Sequence, residues 1–94
     1  MRLRFTSLIF KEKDIYVSYC PELDVSSCGK DVDKARKNLL EAVSIFLEET
    51  KSMGTLNEIL EEAGYMPVDK KHSAWNPPDL ILTERRELNF LPGG

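Results

Sequence analysis

The stretch YVSYCPELDVSSCGKDVDKARKNLLEAVSIFLEE, Tyr16 to Glu49, decides the fold. It begins with a β-rich run in which Ile15, Val17 and Tyr19 alternate with Tyr16, Ser18 and Cys20, the period of a strand. Pro21 has no backbone donor and holds Cys20 extended, so the ladder must stop there and the chain must turn through Pro21-Glu22-Leu23. "DVSSCG" then reads as a short strand ending at Gly29. Asp31 is a good N-cap, and from Val32 to Glu49 the apolar residues Val32, Ala35, Leu39, Ala42, Val43 and Phe46 recur at three- and four-residue steps. That spacing predicts a long amphipathic helix whose other face, with Asp33, Lys34, Arg36, Lys37, Glu41 and Glu48, meets water.

Working outward, Leu3 to Phe10 reads as a first strand with a phase slip near Ser7 that suggests a bulge. Lys11 to Asp14 has the length of a hairpin loop, which makes the first two strands antiparallel. On the other side of the helix, Gly54 is a stop signal, and Thr55 with Glu58 forms a capping-box pattern opening a short helix over 55–64 that ends at Gly64. Residues 65–78, with three prolines and no periodicity, read as a connecting loop whose Trp75 packs onto the body. Leu80, Leu82, Leu88 and Phe90 share one parity around a charged "ERRE" centre, which predicts a C-terminal strand over 79–91 completing the sheet or pairing across a dimer. The expected architecture is a single α+β domain over 1–94. Its residues 1–50 supply a small antiparallel sheet on one long helix.

A chain of 94 residues is near the lower limit for burying its own core, so a homodimer is expected. With 41% apolar and 31% charged residues it has material for both a core and a hydrated surface, which argues against disorder. The basic start "MRLRFTSLIF" is interrupted by Arg4, Thr6 and Ser7 and is followed by no small-residue cleavage pattern. No stretch approaches the roughly 20 apolar residues that span a bilayer. Two cysteines without a secretory signal then suggest the reducing cytoplasm, with no membrane association. A net charge of −3 disfavours a general nucleic-acid coat and suits a basic protein partner.

The ordered set of the tyrosine-rich second strand, Pro21-Glu22-Leu23, Gly29, then Ala35, Asn38-Leu39 and Glu41-Ala42 on the helix resembles the HicB-like family, the antitoxins of HicAB toxin–antitoxin systems and their single-domain relatives. The resemblance implies a small sheet backed by one long helix, likened to a ribonuclease H fold without its catalytic acids. It also implies a protein-binding role, masking a small basic ribonuclease toxin. Two positions depart from the family pattern. Asp31 stands where Thr is commoner, and Lys34 where an acidic residue is; the cap survives because Asp caps well.

Other chemistries are weighed from the residues themselves. Cys20, Cys28 and His72 lack a C-x-x-C pair and a fourth ligand, so no metal is expected and both cysteines are assigned to packing. A two-metal hydrolase, or another small nucleic-acid-processing domain, is the alternative from a different class, and it needs converging carboxylates. Glu12, Asp14, Glu22, Asp24 and Glu84 fall on separate segments, so no catalytic residue, no enzyme and no cofactor are expected. The helix at 55–64 carries Glu58, Glu61 and Glu62, the wrong sign for phosphates, and no pair of helices follows Asp79; direct DNA binding is therefore not expected. Lys70-Lys71 and Arg85-Arg86 read as solvated surface. Partner contact is expected at the acids Asp14, Glu22 and Asp24, with Tyr16 and Tyr19 as aromatic anchors.

Overall fold

The computed structural model describes residues 1–93 as an α+β fold. Eight elements follow in order: β1 (Arg2–Leu3), β2 (Leu8–Glu12), β3 (Ile15–Cys20), β4 (Val25–Gly29), α1 (Val32–Ser52), α2 (Leu56–Glu62), β5 (Met66–Pro67) and β6 (Ala74–Asn76). β2, β3 and β4 form an antiparallel sheet in that order, packed on α1. β1, β6 and β5 form a second, smaller sheet.

The β2–β3 hairpin is tighter than the expected four-residue loop. Glu12 pairs with Ile15, so only Lys13 and Asp14 turn the chain, and Lys13 takes a left-handed φ of 55° to do it. β3 ends at Cys20, as Pro21 requires. Leu23 then enters the core, and Asp24, also left-handed, launches β4.

The sheet's inner face follows from register. Cys20 opposes Val25, Ser18 opposes both Ser27 and Ile9, and Cys20 and Ser18 are fully buried against α1. Asp31 caps that helix, its carboxylate accepting from Lys34 N at 2.7 Å. α1 runs to Ser52, three residues past Glu49, and buries Ala35, Leu39 and Val43. Its first turn sits directly on Gly29: a Cβ there would lie 2.5 Å from Ala35 N. One turn on, Asn38 Nδ2 donates to Cys28 O at 2.8 Å, tying the helix to β4. Thr55 does not close a capping box. Its hydroxyl donates back to Thr50 O instead, and α2 starts without a side-chain cap.

Three segments differ from expectation. The first strand is split, because Thr6 N and Thr6 Oγ1 both donate to the Glu22 carboxylate and hold the chain in a crossing between the two sheets. The phase slip at Ser7 marks that crossing, not a bulge. Residues 65–78 are more than a loop. Tyr65 is buried and its hydroxyl donates to Arg4 O at 2.6 Å, while β6 pairs in parallel with β1 and antiparallel with β5. Trp75 does pack onto the body, at 1% exposure, in one core with Leu39, Leu60 and Tyr65.

The third difference is that no strand forms over 79–91. Pro77 and Pro78 lack N–H groups and end β6, which already has a neighbour on each side. Beyond them the chain continues as an arm whose Leu80, Leu82, Leu88 and Phe90 are all exposed. The arm stretches the molecule to 51 × 30 × 24 Å and its radius of gyration to 16.2 Å, against about 12 Å for a compact chain of this length.

Candidate protein-binding face

α1 covers one face of the β2–β3–β4 sheet, and the register fixes what the other face displays. Leu8, Tyr19 and Ser26 form one cross-strand row, Phe10, Val17 and Cys28 the next, and Glu12 with Ile15 a third. Five of these eight side chains are large apolar or aromatic groups. None of the five is buried, and Phe10 and Ile15 are the most open at 45% and 40%. An antiparallel sheet with one solvated face ordinarily shows polar residues there, so an apolar open face is a surface suited to a partner.

Acids stand at both ends of this face. At one end Asp24 Oδ1 accepts from the Tyr19 hydroxyl at 2.7 Å, which fixes the ring. That hydrogen bond holds the Tyr19 proton and raises its pKa above the ordinary value, with slight desolvation and the Asp24 charge acting in the same direction. At the other end, about 17 Å away along the six residues of β3, are Glu12 and the turn residue Asp14. Of the five residues expected to bind a partner, Tyr19 and Asp24 are therefore brought together on this face, and Asp14 lies at its far rim.

Tyr16 and Glu22 lie elsewhere. Tyr16 projects to the opposite, helix-covered side, in register with Gly29, and Lys11 Nζ sits 5.8 Å from its ring centre. Glu22 is a structural carboxylate. Partial burial acts to raise its pKa, but the donations from Thr6 Oγ1 and Thr6 N outweigh it, leaving the group below the usual glutamate value. Burial pushes the Cys20 thiol up to about 11, the nearby Glu22 charge adding to the rise.

The cysteines do not share an environment. Cys20 is buried under α1, whereas Cys28 is exposed on the open face, contrary to the expectation that both pack inside. His72 stacks at a tilt on Trp75, centroids 5.2 Å apart, in the region of the second sheet. Among the described residues no three His, Cys, Asp or Glu side chains are grouped to hold a metal ion. Glu84, on the arm, pairs with Arg86 at 3.7 Å.

Leu8, Phe10, Ile15 and Val17 were not singled out from the sequence as functional. A signal was present, since β3 carries uncharged side chains on both parities, as a strand covered on both faces does. No helix among the described residues is long and apolar enough to cross a membrane. No protein-family model, curated protein or solved structure matches this chain.

Proposed function

We propose that the chain is a HicB-like protein-binding domain whose open sheet face docks and masks a small basic partner, a ribonuclease toxin in the family that the sequence resembles. The observation that carries this reading is the face itself: Leu8, Phe10, Ile15, Val17 and Tyr19 laid out by the β2–β3–β4 register and bounded by Asp24 at one end and Glu12 and Asp14 at the other. An apolar centre with a charged rim is the anatomy of a specific interface, and acidic rims steer and orient basic partners. A binding role is favoured over catalysis because the carboxylates are dispersed: Glu22 is tied to Thr6, Asp24 to Tyr19, and Glu84 lies on the arm.

The test looks beside this gene for a reading frame that encodes a small basic chain and titrates its product by calorimetry at two salt concentrations. Ile15→Lys places a like charge at the open face, and Asp24→Asn removes a rim charge while keeping a side chain that tolerates the left-handed backbone. Each is expected to weaken binding about tenfold or more, Asp24→Asn also reducing the salt dependence. Affinities equal to the parent's would reject this face, and no binding by the parent would reject the masking role. Glu22→Lys is a poor probe, since it would release the crossing segment at Thr6.

A further inference from the structure

The arm and the free edge of the sheet are each other's complement. β2 is an edge strand, its outer backbone groups unpaired among the described residues. The arm is extended, and its Leu80, Ile81, Leu82, Leu88, Phe90 and Leu91 are 66% to 93% exposed. Single chains rarely leave so long an apolar run in water.

We propose that residues 86–90 of one copy add as a fourth, antiparallel strand to β2 of a second copy, reciprocally, in a register that sets Phe90 opposite Leu8 and Arg86 opposite Glu12. In that register four pairs match at once. Arg86 meets Glu12 and Glu87 meets Lys11, both of opposite charge, while Leu88 meets Phe10 and Phe90 meets Leu8. Because Leu8, Phe10 and Glu12 share the open face, the alternation puts Leu88 and Phe90 there too and widens it instead of covering it. Strand addition also satisfies the edge donors and acceptors of β2.

A second copy is the occupant, not the chain's own β2. The arm leaves the body beside Arg4–Thr6, next to Leu8, so an antiparallel strand on its own β2 would have to run out past Glu12 and reverse. The residues available for that reversal, Thr83-Glu84-Arg85, include no Gly, Pro, Asn or Asp. Two arms docked reciprocally close a two-fold dimer with no open end. Of the arm's apolar side chains only Leu88 and Phe90 lie in the paired segment, so the contact is held mainly by the backbone ladder and by the Arg86–Glu12 and Glu87–Lys11 pairs, each made twice by the symmetry.

Sedimentation equilibrium on the full chain tests this, and it is independent of the basic partner. The full chain is expected to be a dimer. A chain ending after Pro78 is expected to be monomeric and still to unfold cooperatively, since the arm's side chains are exposed on the single chain, with a melting temperature that no longer rises with protein concentration as the full chain's does. Glu12→Arg and Arg86→Glu should each weaken the dimer roughly tenfold, as both symmetric contacts then set like charges together. An equimolar mixture of the two variants should recover the parent's affinity, because every arm again faces an edge of opposite charge. A monomeric full chain or a dimeric truncated chain overturns the proposal. So does recovery only when both substitutions share one chain, which would put the contact within a copy, and so does failure to recover in either arrangement, which would reject the register.

Discussion

Glu22 links two loops that local sequence does not connect. Its carboxylate takes two donations from Thr6, a residue 16 positions earlier, and so pins the crossing from one sheet to the other. Those bonds favour the ionised form and hold its pKa below the ordinary glutamate value. The folded state therefore binds the proton more weakly than the unfolded chain. Its contribution is complete above about pH 4.5 and is lost as pH falls through the lower folded value. Glu22→Gln keeps the shape and removes the titration. It is expected to cost about 1–2 kcal/mol at pH 7, toward the lower end because the group is part-exposed, and to flatten the acid limb of stability measured by urea unfolding from pH 7 to 3. An acid limb parallel to the parent's would show that Glu22 is not the group responsible. From sequence this residue reads as a turn acid free for a partner, because nothing in the local pattern reveals that Thr6 is its neighbour in space. That Tyr19 and Asp24 lie close together was legible, since they are only five apart across one turn.

Among elements, the strands β3 and β4 and the helix α1 follow from short-range rules: alternation, a proline stop, a cap and a three-to-four-residue period. How α1 docks is a matter of close approach. Gly29 is where a side chain cannot fit, since its Cβ would meet Ala35 N at 2.5 Å and Lys34 C at 2.8 Å, both main-chain atoms with little room to move. Gly29→Ala is expected to lift the first turn of α1 off β4, weaken the Asn38–Cys28 bond and cost about 2–3 kcal/mol in a denaturant midpoint series, in the range of overpacked cores. A loss under 0.5 kcal/mol would mean that the helix start gives way freely. Gly29, Ala35 and Asn38, among the residues on which the resemblance rests, meet at this junction, and Leu39 beside them is fully buried in the core. β1, β5 and β6 escaped the sequence reading for the opposite reason. Strands of two or three residues leave no periodic trace, and β1 finds β6 more than 70 residues away.

At the scale of the whole molecule, the N-terminal strand and the chain after α2 are held together by few groups. Tyr65 is the most exacting of them: 2% exposed, with its hydroxyl donating to Arg4 O at 2.6 Å across 61 positions. Burial raises its pKa well above the ordinary 10, with the Glu22 and Cys20 charges acting in the same direction. A folded pKa above the unfolded one means that the stabilisation is whole below pH 10 and declines above it, where the unfolded phenol ionises and the folded one does not. Cys20 follows the same rule from a lower start, its loss running from pH 9 to about 11. Tyr65→Phe removes one hydrogen bond and leaves Arg4 O without this donor, an expected loss of about 1–2 kcal/mol at pH 7. It also removes a titrating group, so between pH 10 and 11.5 the variant should lose less stability than the parent, while the Cys20 contribution below pH 10 stays common to both. Urea midpoints at half-unit steps from pH 8 to 11.5 separate the two effects. Curves displaced but parallel above pH 10 would mean that the phenol reaches water before the chain unfolds, and that the junction between the two sheets opens first.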